Sequence, residues 1–297
     1  MTDFLRLVVT GSATGMVYAL IAIGFVVILK CSQAFNIAQG HFVMIGGYLG
    51  FTFLAMLGLP LWAALLAAIA TAIVMGLVIE RLTLRPLVGQ PALPVIMMTI
   101  ALGFCILDGL AILIWGGEYK VYFGYLPKIP QIPGGIYIPS ETLLTVIVSV
   151  TVIAILMIFL RYSKVGLMMR ATAEDEHVVQ AAGVRVSTIY AFSWVIASVT
   201  GVIAGILLGS AGGISPAVSN IGLKAFAVVL LGGASSLGGA IIAGIIVGVA
   251  ENVAAAYLDP LLSASGGVAS VFPFIVMIVV LIIRPSGLFG LQRIERI

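Results

Sequence analysis

The 297-residue chain predicts an all-α fold, a polytopic bundle of transmembrane helices with about eight spanning or re-entrant segments. Three observations predict it. The composition is 62% hydrophobic and only 8% charged, where soluble domains carry about 25% charged residues. Apolar runs of near-spanning length recur along the chain. Proline and glycine fall between the runs, where helices stop.

A membrane helix needs about 20 mostly apolar residues. The first run covers 8–29 and contains Thr10, Ser12 and Thr14. No small-residue cleavage site with a polar mature chain follows it, so it reads as a retained span and not as a signal peptide. The next runs are 35–57 and 61–79, divided by Pro60. The fourth is 93–115, entered through Pro86, Pro91 and Pro94. Runs 143–160, 189–208 and 268–283 complete the plain spans. The stretch 223–258 is too long for one helix and is interrupted by Gly232-Gly233-Ala234-Ser235-Ser236-Leu237-Gly238-Gly239. It predicts a broken helical hairpin, with unpaired backbone that must be buried in protein or line a wet cavity.

The basic residues orient the bundle. Lys30, Arg81, Arg85, Arg161, Lys164, Arg170 and Arg185 fall in the loops after the first, third and fifth spans. The loops after the second, fourth and sixth hold Lys120 and Lys128. Lys and Arg favour the cytoplasmic side. The tail, with Arg284, Arg293 and Arg296, belongs there too if 223–258 crosses an even number of times. The N-terminus then lies outside, against the weak contrary signal of Arg6.

What the composition excludes is equally definite. A net charge of +3 does not argue for nucleic acid. Cys31 and Cys105 form no disulfide framework or metal quartet and read as inert thiols. His41 and His177 lie on different segments, no catalytic constellation is present, and no cofactor is expected. No lysine follows a glycine, so the chain lacks the Gly-Lys-Ser/Thr loop that cradles nucleotide phosphates.

The segment 161–187 carries the most information. Leu167, Met168, Ala171, Val178 and Ala182 recur at near-helical spacing, and Gly183 is a helix stop. The pattern predicts one amphipathic helix over 167–182, braced by an Arg170–Glu174 pair four residues apart. It presents Glu174, Asp175, Glu176 and His177 to water. Such a helix is either a lever docked in a soluble partner or a plain solvated helix. The acidic cluster disfavours simple attachment to a membrane surface.

The loop resembles the cytoplasmic coupling segment of permease subunits of branched-chain amino acid ABC importers, the LivH type. Phe35-Asn36-Ile37-Ala38-Gln39-Gly40-His41-Phe42 resembles the family's signature at the start of the second span, and Ala181-Ala182-Gly183-Val184 its coupling-loop end. Lys224-Ala225-Phe226, Leu231-Gly232-Gly233, Gly238-Gly239-Ala240 and Gly248-Val249-Ala250-Glu251 resemble its C-terminal block, in the family's order. Ala234-Ser235 departs from the usual aliphatic–glycine pair and should stiffen the break. The resemblance implies a type II importer architecture. Its partners would be a sister permease, two cytoplasmic ATP-binding subunits and a periplasmic substrate-binding protein. The substrate would be a branched-chain or related amino acid, with urea, short amides and aromatic acids as alternatives. An ion-gradient carrier or channel is the rival from another class.

Polar groups inside apolar spans are costly and by default mark a pathway. Asn36, Gln39, Gly40 and His41 open the second span as pathway candidates, with helix capping by Asn36 as the plainer reading. Gly232, Gly233, Ser235, Gly238 and Gly239 are placed on the pathway as a discontinuity near the midplane. Asp108 must pair inside the bundle or sit at its wet end; Lys224 and Glu251 read as interfacial anchors before substrate contacts. The remaining glycines, such as Gly201, Gly205, Gly244 and Gly248, read as helix-packing positions. Trp115, Tyr119, Tyr122, Phe123, Tyr125 and Tyr137 in the outer loop 116–142 read as an interfacial belt, a face on which a binding protein could dock.

Overall fold

The computed structural model describes residues 2–87, 90–122, 139–261 and 267–290. Phe123, Tyr125, Lys128, Tyr137, Arg293 and Arg296 lie outside the described residues. The described residues form helices joined by turns and irregular segments, with an isolated bridge between Lys120 and Ile214. Helix α1 is Thr2–Ser32. Helix α2, Gln39–Gly50, runs on through a π-helical turn, Phe51–Met56. Helix α3, Leu61–Ile79, continues as a π turn and a 3-10 turn to Leu87. Helices α4 (Ala92–Ala101) and α5 (Asp108–Trp115) are joined by the π turn Leu102–Leu107. Then come α6 (Ser140–Tyr162), α7 (Lys164–Glu174), α8 (Glu176–Ala181) and α9 (Val186–Gly212). A 3-10 turn, Pro216–Asn220, leads into α10 (Ile221–Gly232), followed by α11 (Leu237–Leu261) and α12 (Gly267–Ile283).

Among the described residues, six helices are long and apolar enough to cross a membrane. Two of them form the centre. The most apolar windows of α1 and α9 are 78% and 72% buried, against 28% in the windows of α3, α4–α5, α6 and α11. Small residues permit this. Lipid gives no hydrophobic drive to bring helices together, so close backbone approach must supply the contact. A Cβ on Gly15 would meet the Gly244 carbonyl at 2.5 Å, and one on Gly201 would meet the Phe42 Cβ at 2.8 Å. Gly244 and Gly248 thus face α1, and Gly201 and Gly205 face α2, as packing positions.

One end of the bundle collects the basic residues. Lys30, Arg170, Glu174, Ser235 and Pro285 line one cavity of about 630 Å³ there. Arg85 donates to Ser187 Oγ at 3.3 Å at the foot of α9. At the opposite end Thr10 meets Asn252, and Trp115 Nε1 donates to Thr52 at 2.8 Å. Arg6 belongs to this second end, beside Thr142 and Leu208.

The expected single helix over 167–182 is two helices. Asp175 has extended backbone, ends α7, and caps α8 by accepting from the His177 and Val178 amides at 2.8 and 3.1 Å. A carboxylate that can take two orphan amides favours a cap over helix interior. The expected Arg170–Glu174 pair is also replaced. Arg170 turns back to the carbonyls of Leu160 and Arg161, the open end of α6, where unpaired C=O groups attract a cation. Gly183 does stop the helix, at φ +85°.

Candidate functional site

The second expected span does not start at Phe35. After Ser32 the chain passes through Gln33 at φ +50° and runs irregularly until Gln39. Its polar groups are met one by one, as burial away from water requires. Asn36 Oδ1 accepts from the Ala38 amide at 3.1 Å, and its amide nitrogen donates to Gln39 Oε1 at 3.1 Å. Gln39 Nε2 donates to the Ala197 carbonyl at 3.0 Å, near the middle of α9. Thr99 Oγ1 accepts from the Ile37 amide at 3.3 Å. Asn36 and Gln39 are 1% and 0% exposed. Helix α2 therefore begins deep inside the bundle and runs toward the Trp115 end. Asn36 and Gln39 hold that start in place.

A second half-helix meets it. From the end of α9 the chain returns past Ile214, which lies against Gly47, and through Pro216–Asn220 before α10 begins. At that junction the backbones of Gly40 and Gly222 touch. A Cβ on Gly222 would stand 2.8 Å from Gly40 Cα, and one on Gly40 would meet Gly222 N at 2.9 Å and the Ser219 carbonyl closer still. Two helices that start in the middle of the protein thus leave in opposite directions. A discontinuity in the middle of the bundle is present here.

It is not at the glycine break of the broken hairpin, which corrects the placement of Gly232, Gly233, Ser235, Gly238 and Gly239 at the midplane. That turn lies at the basic end, where Ser235 shares a cavity with Lys30 and Glu174. The loose carbonyls of α10 are taken by the tail: the Leu288 amide donates to Leu231 O at 2.8 Å and Phe289 to Gly232 O at 3.2 Å. Gly233 takes φ +97° with its Cα packed against Gly290. Ser236 caps α11 through the Gly239 amide at 3.0 Å. Gly238 is exposed, and a Cβ there would meet nothing.

The charges are also arranged differently from the expected interfacial anchors. Lys224 donates to Glu251 at 2.5 Å, and Tyr18 donates to the other carboxylate oxygen at 2.5 Å. This cluster joins α10, α11 and α1 inside the bundle, because a charge held away from water needs a partner more than it needs an interface. Asp108 pairs within the bundle as well, at 3.6 Å from His41 Nε2. His41 is 2% exposed, stacks edge-on to Phe104 at 4.7 Å, and fits only because residue 103 is glycine. Both its ring nitrogens, Asp108 Oδ1 and Tyr48 Oη lack a hydrogen-bond partner.

Beside the meeting point of the half-helices lies a cavity of about 280 Å³, lined by Phe25, Phe35, Ile37, Ile96, Leu223 and Phe226, with Gly222. Phe226 sits 5.6 Å from Phe35, edge to face, and 6.1 Å from Phe25. Phe35 and Phe226 come from two distant sequence signatures that the fold brings together. Among the described residues no His, Cys, Asp and Glu cluster could hold a metal. Phe25 and Gly222 escaped the sequence reading. Pro216, after Gly212-Gly213, was the signal for the second return of the chain.

The loop 161–187 is wired to the bundle at both ends. Arg170 holds α7 to α6, and Glu176 accepts from Tyr190 Oη at 2.9 Å, tying α8 to α9. Glu174, Asp175 and His177 are exposed.

The family profile described as "Branched-chain amino acid transport system / permease component" matches residues 7–281. This chain belongs to that family. The permease is 33% identical to the "High-affinity branched-chain amino acid transport system permease protein LivH" of Salmonella typhimurium, over 99% of this chain and 98% of that one. It is likewise 33% identical to the corresponding protein BraD of Pseudomonas aeruginosa, again over 99% and 98%. A looser likeness links it to a solved structure, "PsaBC from Streptococcus pneumoniae in complex with Fab", with TM-score 0.49 and 16% identity over 95% of this chain and 92% of that one. The permease is a multi-pass membrane transport subunit.

Proposed function

We propose that the permease forms one half of the translocation path of an ABC importer for branched-chain or related aliphatic amino acids. The observation that carries this reading is its near full-length similarity to permeases named for that substrate class. The assembly comprises this chain, a sister permease, two ATP-binding subunits and a substrate-binding protein. Its basic end, with Lys30, Arg170 and Arg284, faces the cytoplasm, in keeping with the bias of Lys and Arg.

The geometry supports a route for the stroke. A motor subunit bound at α7–α8 meets the exposed Glu174, Asp175 and His177. Displacement of α8 pulls on α9 through Glu176 and Tyr190. Helix α9 carries the Ala197 carbonyl that holds Gln39, and hence the start of α2. A push at the basic end thereby reaches the middle of the bundle through hydrogen-bonded, packed elements that both sites share. His41, Asp108, Gly40 and Gly222 surround that middle, where alternating access must open and close.

The test is reconstitution in liposomes with the four partner subunits. Uptake of leucine that needs ATP and the binding protein is the expected result. Leucine uptake by the permease alone, driven by a proton or sodium gradient, would assign it to the rival class of carriers.

A further inference from the structure

We infer that the cavity walled by Phe25, Phe35 and Phe226 receives the aliphatic side chain of the amino acid in mid-passage, so that the permease itself filters substrates by side-chain size. The inference rests on the transport reading above and adds a substrate-contacting site within it.

Four observations converge on this pocket. It is concave and about 280 Å³ in volume, near the lower edge of small-molecule sites at about 300 Å³, a size for one small side chain. Its walls are aromatic and aliphatic: Phe25, Phe35, Ile37, Ile96, Leu223 and Phe226. It adjoins the point where two half-helices begin inside the bundle, with Gly40 against Gly222. Discontinuous helices near the midplane are where transporters hold their cargo. Finally, its walls unite residues from the segments around Asn36 and Lys224, which are far apart in sequence. Leu223 is 55% exposed, so the cavity opens on the flank of the bundle.

Shape discrimination of this kind is modest and measurable. One methylene in an apolar pocket changes rates by roughly 10-fold or more. The experiment compares leucine with valine in the reconstituted importer, with binding protein saturated by each in turn, and reads the ratio of the two uptake rates. Leu223→Trp narrows the cavity from its exposed edge and is expected to lower the leucine-to-valine ratio about tenfold. Phe226→Leu removes ring volume and is expected to raise it. The ratio is independent of how much complex survives each substitution. A ratio that stays at the wild-type value in both variants overturns the inference. Failure of Leu223→Trp to co-purify with the sister permease overturns it too, because the cavity would then be filled by that subunit. A wild-type complex that imports no amino acid sinks the underlying transport reading instead. Opposite shifts of the ratio in the two variants establish the filter.

Discussion

The permease contains two glycine-marked discontinuities, and they differ in what becomes of the backbone they free. At the turn around Gly233, amides of Leu288 and Phe289 occupy the last carbonyls of α10, and Ser236 caps α11. These hydrogen bonds hold the turn to the tail and to the start of α11. At Gly40 and Gly222 two helix starts press together, and an apolar cavity stands open beside them. Glycine density therefore does not by itself tell the two breaks apart. The difference lies in the walls of the adjoining cavity, which include Lys30, Arg170 and Glu174 at the first turn and are apolar at the second.

Three substitutions break or sharpen this contrast. Gly40→Val has the largest expected effect. Its side chain would collide with backbone at Ser219 and Gly222, which cannot rotate away. A cost of about 3 kcal/mol is expected, read as loss of leucine uptake and of the thermal unfolding transition in detergent. Normal uptake would show that the half-helices need not touch. Gly233→Ala forces a side chain into φ +97° against Gly290 N at 2.5 Å. Left-handed backbone costs an L-residue about 1–2 kcal/mol, so the melting temperature should fall while the leucine-to-valine ratio holds. A changed ratio would return this turn to the pathway. Ser236→Ala removes a cap worth about 1 kcal/mol. It should lower the melting temperature slightly and leave transport intact, which uptake at fixed complex concentration would check.

The sequence was legible where a single physical rule governs. Long apolar runs located the spanning helices among the described residues, and 61–79 coincides with α3, because crossing lipid leaves few alternatives. Helix-stopping glycines such as Gly183 were equally plain. The failures share a cause: long-range partners. Lys224 and Glu251 look like separate anchors until α10 and α11 fold back to pair them. Arg170 has Glu174 four residues away, yet finds the open end of α6. Residues 35–38 read as the beginning of a span because Phe35, Ile37 and Ala38 are apolar; their irregular path depends on Thr99 and Ala197. Periodicity cannot report a hydrogen bond to a helix far along the chain.

The cluster of Tyr18, Glu251 and Lys224 has a mechanical consequence. It rivets α10 near its start to α1 and α11, while the tail clamps the other extremity of the same short helix. One jaw of the central vice is thus bolted to the frame. The beginning of α2 is joined to α9 by the amide of Gln39, so in the transport cycle proposed above an opening stroke that spares those bolts swings that side.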